Sequence, residues 1–462
     1  MGDNVAGNDV AGNWEAALAQ VEQRAATGLW DEVCDELAWL IQEWEDQGKP
    51  AAIAQELAHL MGLVVTLGDR ASQRAVSRLW RRLGLQGVST LRDILTDPEE
   101  DFHGRWLAGR SLGELGAAGM TEARDVVLAL LGDQQDEETL AIVSGALTHM
   151  GAPAIASLGA LLDQPDTRPA AVRSLAKICH PDIVTPLLTV MDDPTPQIRA
   201  IALEAIGNFQ DRRSLPLLLQ ALDDPASAVR REAVRGLGQK AKAITKSPVE
   251  INGKPLGQPQ LESILVTCLR DFSIEVCQQG AIALGRLATP TAVDALNKTL
   301  QRETTPVPLR KTIVQTLGWS DRPEALDALA TYLNQSIKKP DQLPASPEKN
   351  QSEIPLNIHP DAQETVQAII QMLGRVNGTQ SRSKARHILH TWWHQATQTQ
   401  PKVNPGEQRS PSPALAVPIR EAIAQSLGQL GDPNSREILD TLVQDPVPSV
   451  RYRAEAALRA LS

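Results

Sequence analysis

The sequence predicts an all-α protein in which helical hairpins repeat along the chain and stack into a superhelix. Two stretches, "LLTVMDDPTPQIRAIALEAIGNF" at 187–209 and "LPLLLQALDDPASAVRREAVRGLG" at 215–238, align position by position with an offset of 31 residues. A fixed period of about 20–50 residues is typical of repeat architectures. Hydrophobic residues make up 42% of the chain and aromatic residues only 3%, which favours helices packed through Ala and Leu.

The repeat can be followed through one position, which we call the slot. Arg199 and Arg230 stand in the slot, followed by a small or apolar residue at slot +3, an apolar residue at slot +7 and Gly at slot +8. The apolar positions form a one-sided stripe at helical spacing. From residue 88 to the end we count about ten units, and their slots are Arg105, Leu140, Arg168, Arg199, Arg230, Cys277, Arg310, Val366, Arg420 and Arg451.

Each unit reads as two helices. The first is short and Leu-rich, as in "RSLPLLLQALDD" at 213–224, and the second runs from a turn before the slot to the Gly at slot +8. Proline is favoured in the first turn of a helix, and Pro196, Pro308, Pro418 and Pro448 stand two or three residues before a slot. We expect N-caps at Thr195 and Ser227, and helix ends at Gly207, Gly238 and Gly428.

Other parts of the chain lie off the repeat. We expect residues 1–12 to be disordered and residues 13–86 to form a helical cap module, which holds five of the nine tryptophans. Three insertions interrupt the period. Residues 244–259 contain an Asn-Gly pair that predicts a small hairpin, whereas 335–360 and 396–415 are rich in Pro, Ser, Gln and Lys and read as mobile loops.

Three stretches, "DDPTPQIRAIALEAIG", "DDPASAVRREAVRGLG" and "QDPVPSVRYRAEAALRAL", resemble HEAT repeats, and among these the HEAT-like repeats of phycobilisome (bilin) lyases. The resemblance covers about residues 88–462. It implies a HEAT/armadillo-type α-α solenoid and a cyanobacterial source. It also implies that the turn Asp and the Arg six residues later form a ladder between neighbouring units, with the pairs Asp193/Arg199, Asp224/Arg230 and Asp445/Arg451. The alternative is a basic row that grips an acidic partner.

The net charge, the cysteine count and the lengths of the apolar runs exclude several classes of protein. The chain has 45 basic and 56 acidic residues, a net charge of −11, whereas nucleic-acid binders usually show a basic excess or stripe. Four cysteines without a CxxC pair do not build a disulfide framework or a zinc site in a chain of this length. The sequence shows no signal peptide and no apolar run long enough to span a membrane. We therefore expect a cytoplasmic protein.

Two clusters could carry chemistry. Cys277 occupies a slot, and with Cys268 it could contact a metal, an iron–sulfur cluster or a bilin; the alternative is a small buried residue. His387, His390 and His394 lie at i, i+3 and i+7, on one helix face that could hold a metal. No Cys, Asp or Glu stands in the same turns, so a helix packed through its tryptophans explains them equally well.

No P-loop, dinucleotide-binding, HExxH or GxSxG motif is present. HEAT-repeat hydroxylases bind di-iron through His-Glu dipeptides, and this sequence has none. We therefore expect no catalytic residues and no cofactor. Second helices of a solenoid line an extended concave surface, so we expect a scaffold that recognises proteins through slot +1 and slot +5, at Glu204, Arg231, Arg235, Gln278, Lys311, Gln315, Glu421 and Gln425.

Two alternatives to the scaffold remain open. The resemblance allows a bilin lyase-like protein or subunit, which would attach or remove chromophores on phycobiliproteins. It also allows a partner protein in iron–sulfur cluster assembly. The expected partner is accordingly a protein, with a phycobiliprotein and an iron–sulfur assembly protein as the named possibilities.

Overall fold

The structure, a computed structural model, describes residues 14–461 except 133–136, 210, 212, 252, 321, 338–357 and 399–414. Over these residues the chain is all-α apart from one two-stranded hairpin and an isolated bridge, which confirms the predicted fold class. No helix in the described ranges combines the length and the apolar character that a bilayer-crossing segment requires. The chain divides into two compact units, Met1–Asp211 and Arg212–Ser462.

The first unit contains twelve helices within the described residues. They are α1 Trp14–Ala26, α2 Trp30–Asp46, α3 Ala51–Leu67, α4 Arg70–Leu83, α5 Val88–Thr96, α6 Phe102–Ala117, α7 Thr121–Gly132, α8 Glu137–Met150, α9 Ala152–Leu161, α10 Arg168–Lys177, α11 Val184–Leu188 and α12 Pro196–Asn208.

The Trp-rich helices α1–α4 pack directly against the first repeats. Helix α4 contacts α6, and α3 contacts both α5 and α6. One continuous hydrophobic cluster runs from Val21 to Ile206, and Trp44 and Trp80 belong to it. The indole N–H of buried Trp44 donates to the carbonyl oxygen of Pro50 at 3.0 Å. The Trp-rich segment and the repeats of this unit therefore share one core.

The second unit contains twelve further helices and the hairpin. They are α13 Ser214–Gln220, α14 Ser227–Lys246, β1 Val249–Ile251, β2 Lys254–Leu256, α15 Gln258–Cys268, α16 Ile274–Leu287, α17 Pro290–Leu300, α18 Val307–Gly318, α19 Pro323–Ser336, α20 Gln363–Gly374, α21 Thr379–Gln398, α22 Val417–Leu430, α23 Arg436–Val443 and α24 Pro448–Leu461.

The helices from α5 to α24 form ten pairs within the described residues, and each predicted slot lies on the second helix of a pair. In the second unit the second helices α14, α16, α18, α20, α22 and α24 pack each against the next, and the first helices α15, α17, α19 and α21 form a parallel row. In the first unit α6, α8, α10 and α12 likewise pack in succession. This stacking of hairpins is a solenoid architecture.

An aspartate closes the turn before a second helix. One carboxylate oxygen of Asp193 accepts the backbone N–H of Thr195 at 2.8 Å, and Asp224, Asp271 and Asp445 accept the amide two residues on in the same way. Thr195 stands at the N-cap position of α12, as predicted, but its side chain makes no capping hydrogen bond. The N-cap predicted at Ser227 is wrong, since Ser227 is the first residue of α14 and Ala226 stands at the N-cap position.

The Gly at slot +8 marks close contact between second helices. A Cβ on Gly238 would stand 2.7 Å from the Cβ of Ala283, and one on Gly428 would stand 2.8 Å from the Cβ of Ala457. Carbon atoms at van der Waals contact are about 3.5–4.0 Å apart. The helix ends predicted at Gly238 and Gly428 are wrong, since α14 continues to Lys246 and α22 to Leu430. Gly431, at a φ of +66°, ends α22 instead.

The insertions are described only in part. The hairpin β1–β2 pairs Val249 with Leu256 and turns through Gly253, at a φ of +73°, within the predicted insertion 244–259. The first loop insertion is described at its base, where Ile337 and Ile358 form an antiparallel bridge. The predicted bounds of the loop insertions are too wide, because α19 continues to Ser336 and α21 to Gln398. Residues 338–357, 399–414 and 1–12 lie outside the described residues.

We predict that Gly113→Ala destabilises the first unit, although Ala is the better helix former by about 1 kcal/mol. A Cβ at Gly113 would meet the backbone of Ala146 on α8, with its carbonyl oxygen at 2.6 Å, and overpacking typically costs about 1–3 kcal/mol. The matched control is Gly145→Ala on α8, where a Cβ meets no atom within 4 Å. Urea unfolding should show a lower midpoint for the first variant only; equal midpoints would refute the close-approach role.

Candidate functional site

Three slot arginines connect successive repeats through ion pairs with turn aspartates, which we call the ladder. Arg168 pairs with Asp193 at 2.9 Å. Arg230 binds both carboxylate oxygens of Asp271, at 2.8 and 2.7 Å. Arg420 pairs with Asp445 at 2.9 Å. Each pair joins the second helix of one unit to the turn aspartate of the next unit.

The same arginines also hold their own turns. Arg230 donates to the backbone oxygen of Asp224 at 2.9 Å, and Arg199 and Arg451 donate to the equivalent oxygens of Asp193 and Asp445. A single guanidinium therefore fixes the turn of its own unit and the carboxylate of the next. Arg310, 6% exposed, has no carboxylate partner among the described residues and donates to the backbone oxygens of Arg302, Glu303 and Asp361 and to the hydroxyl of Tyr332.

Two of the ladder carboxylates, Asp193 and Asp271, have lowered pKa values. The hydrogen bond from Arg230 lowers the pKa of Asp271 below its usual value of 3.8. Burial acts to raise the pKa of Asp193, but the amide of Thr195 and the guanidinium of Arg168 outweigh it, so that pKa is also lowered. These carboxylates therefore form ion pairs between charged partners that connect neighbouring repeats.

The ladder is interrupted at Cys277. Its thiol donates to the backbone oxygen of Asp271 at 3.2 Å, where an arginine would otherwise stand. The next turn has Thr304 in place of the aspartate, six residues before Arg310. Both members of one rung are thus absent together. A crevice of about 240 Å³ opens there, lined in part by Phe272, Cys277 and Thr304.

This crevice does not indicate a reactive thiol. A second crevice, of about 390 Å³, lies beside the intact Arg168–Asp193 rung, so such gaps are a general feature of adjacent turns. Burial raises the pKa of Cys268 to about 12 and also raises the pKa of Cys277. Both thiols are protonated at neutral pH, whereas the thiolate is the nucleophile and metal ligand.

The three histidines of α21 do not form a metal centre in the structure. His387 and His394 are exposed, and the Nε2 atom of half-buried His390 lies 2.9 Å from the hydroxyl of Ser435. Burial lowers the pKa of His390. Across the described residues no group of three or more His, Cys, Asp or Glu side chains is arranged to bind a metal. Trp392, fully buried, donates to the backbone oxygen of Leu333 at 2.9 Å and anchors the helix.

The predicted binding positions of the second unit lie on its row of second helices, and several of them bridge neighbouring helices. Gln278 on α16 donates to the hydroxyl of Thr312 on α18 at 3.0 Å. Lys311 on α18 pairs with Glu364 on α20 at 2.7 Å. Arg453 on α24 contacts two further positions on α22, namely Glu421 at 3.7 Å and Gln425 at 2.9 Å.

Arg231 and Arg235 form a local cluster on α14. Both pair with Glu232, which is only 6% exposed. Sequence reasoning missed Glu232, although its position between two arginines at i−1 and i+3 is a recognisable signal. Gln315 is exposed on α18, and Glu204 is exposed on α12 in the first unit. The predicted positions of the second unit therefore form a polar surface of mixed charge, in which most side chains contact a neighbouring side chain.

Comparisons with known proteins locate the repeats. A family model for HEAT repeats matches residues 155–238 and 262–339, and a model for the PBS lyase HEAT-like repeat matches residues 419–445. No match was found among the curated proteins.

Three solved structures are similar to the chain. Escherichia coli YibA is 16% identical, covering 71% of this chain and 98% of its own, with a TM-score of 0.40. Human deoxyhypusine hydroxylase is 18% identical, covering 83% and 98%, with a TM-score of 0.25. Yeast importin-β (Kap95p) is 13% identical, covering 99% and 67%, with a TM-score of 0.45. At these scores the likenesses carry no functional argument.

We predict that Arg230→Ala lowers the free energy of unfolding by about 1–3 kcal/mol, because the largely buried Asp271 carboxylate loses two charge-assisted hydrogen bonds. The matched control is Arg270→Ala, which removes an exposed arginine next to the same aspartate. Thermal unfolding measures both, and equal melting temperatures for the two variants would contradict the ladder role.

We predict that acid reduces the difference in stability between the wild-type protein and Arg230→Ala. Arg230 lowers the folded-state pKa of Asp271, so the stabilisation is complete above the unfolded-state pKa and is lost as the pH falls through the lower folded-state value. Below about pH 4 the wild-type protein should therefore lose more stability than Arg230→Ala. Parallel pH profiles for the two proteins would show that this ion pair does not stabilise the fold.

Proposed function

Because this chain is a HEAT-repeat protein that carries one repeat of the PBS lyase type, we propose that it is a non-catalytic scaffold that binds protein partners along its second helices. Rows of second helices in solenoids line the concave surface on which these folds bind their partners. The proposed contact positions are those at slot +1 and slot +5.

The observation that supports this proposal is the set of polar bridges across the second helices. The Gln278–Thr312, Lys311–Glu364 and Arg453–Gln425 contacts each connect adjacent helices. Side chains fixed before binding lose less conformational entropy when a partner arrives. A row of pre-oriented donors and acceptors of both charges fits a structured protein surface better than a uniformly charged polymer.

The groups that first indicated possible chemistry favour binding over catalysis. The thiols of Cys268 and Cys277 have raised pKa values, and His390 is engaged with Ser435. A general base or nucleophile needs a pKa close to the working pH and an accessible reacting atom. These side chains instead fill space or connect helices.

A second candidate function is bilin lyase-like activity, and the PBS lyase-type repeat at 419–445 is the observation that favours it. The two candidates differ in a measurable way. A chain that handles chromophores binds free bilin, and its visible absorption band shifts on mixing with the protein, whereas a scaffold leaves the spectrum of the bilin unchanged.

We predict that Gln315→Arg weakens partner binding about 10-fold, because a bulky charge forced into an interface core costs roughly 1.4 kcal/mol or more. The matched control is Gln335→Arg, an identical change at an exposed position on the first helix α19. Immobilised wild-type protein and both variants are exposed to extract of the source organism, and bound proteins are quantified by mass spectrometry. At least one protein should be lost with Gln315→Arg and retained with Gln335→Arg; retention of every bound protein by both variants would refute the face assignment.

A further inference from the structure

Helix α4 exposes a row of arginines, which we call the basic stripe: Arg70, Arg74, Arg78 and Arg81. At 100° per residue their spacing confines them to an arc of about 80° along roughly 16 Å of helix. All four are exposed. In the part of the chain that the structure describes, none of their side chains forms an ion pair or hydrogen bond. The opposite face of α4 is buried through Val76, Leu79, Trp80 and Leu83.

Helix α2 exposes an acidic row on a similar arc, which we call the acidic stripe: Asp31, Asp35, Trp39, Gln42 and Asp46. Four of these are exposed polar side chains. Trp39 is 44% exposed, which is unusual for so large an apolar group. Asp31 and Asp35 have no ion-pair partner among the described residues.

The two stripes lie side by side. The Nη2 atom of Arg82, in the last turn of α4, is 2.5 Å from the carboxylate of Glu45 and 2.7 Å from the side-chain oxygen of Gln42, in the last turns of α2. Helices α2 and α4 are in contact and both pack on α3, which separates them in sequence. They therefore run parallel, with one charge sign on each. No Asp or Glu lies within α4, so its like charges at i and i+4 repel one another without relief from their own helix.

We propose that a second copy of this chain docks on this surface, with the acidic stripe of each copy against the basic stripe of the other. A two-fold axis parallel to α2 and α4 places each helix over its opposite in the partner. The contact is then made twice, as in an isologous dimer. Trp39 meets the arginines of the other copy, and guanidinium groups stack favourably on indole rings.

A second copy of the chain is the proposed partner because the acidic stripe and the basic stripe lie next to each other. A nucleic acid drawn to the basic stripe meets the acidic stripe beside it and a chain of net charge −11. An acidic peptide satisfies α4 and leaves Asp31 and Asp35 unmatched. Only a surface that carries both stripes satisfies both. Two helices of this length bury an area at the low end of specific interfaces, so the dimer is weak and sensitive to salt.

The test uses two variants of the full chain. The first is Arg74→Glu/Arg78→Glu and the second is Asp31→Lys/Asp35→Lys. The wild-type protein is expected to reach twice the monomer mass of 50.0 kDa with rising concentration in sedimentation at low salt, and 0.5 M salt should weaken the association about 10-fold. Each variant alone should be monomeric. An equimolar mixture of the two should form a heterodimer, because each altered stripe then faces its complement.

The mixture also guards against a folding defect, since misfolded variants would not regain association on mixing. The matched control is Arg375→Glu/Arg436→Glu, which changes the net charge equally at two exposed arginines of the second unit and should dimerise like the wild-type protein. A monomeric wild-type protein at all concentrations overturns the proposal. A dimer that both stripe variants retain overturns it equally, as does binding of duplex DNA that Arg74→Glu/Arg78→Glu abolishes while the wild-type protein stays monomeric. Neither result bears on the second-helix face, which lies on other helices.

Discussion

Much of the structure depends on a turn carboxylate that accepts hydrogen bonds from two directions in several of the repeats. Asp271 accepts the amide of Ser273 in its own turn and both guanidinium donors of Arg230 in the preceding unit. The hydrogen bond from the Ser273 amide sets where the second helix begins. The ion pair with Arg230 sets the position of that helix along the axis of the neighbouring second helix. The Gly at slot +8 then sets the distance between the two helices, because a Cβ there would stand less than 3 Å from an atom of the next second helix. The positions at slot +1 and slot +5 follow from these three constraints.

The break at Cys277 shows one way in which the stack continues without an ion pair. Losing only the arginine would leave the next turn with an aspartate that has no cation, and an unpaired buried charge is strongly unfavourable. The chain instead has Thr304 where that aspartate would stand, and the thiol of Cys277 takes over the backbone oxygen of Asp271. Removing both partners of a pair costs less than removing one, so the stack continues through this rung.

The sequence was sufficient for the all-α repeat and for the phase of its slots, because period and apolar spacing are local signals. It was insufficient for roles that depend on a neighbour. Gly238 reads as a helix end in one unit, and only the packed pair reveals Ala283 against it. Arg235 reads as a free surface cation until Glu232 is seen to be buried between two arginines. Arg70, Arg74 and Arg78 of the basic stripe stand at i, i+4 and i+8 in the sequence. The net charge of −11, which sums over the whole chain, does not reveal such a local basic row.

The bridge between Ile337 and Ile358 has a practical meaning for protein engineering. It brings Ile337 and Ile358, which flank the twenty residues 338–357, to within about 5 Å of each other, and helices α19 and α20 lie on either side. Closing a longer loop costs only about 0.6 kcal/mol for each doubling of its length. The spacing of Ile337 and Ile358 therefore matches a fluorescent protein or an affinity domain whose own termini lie close together.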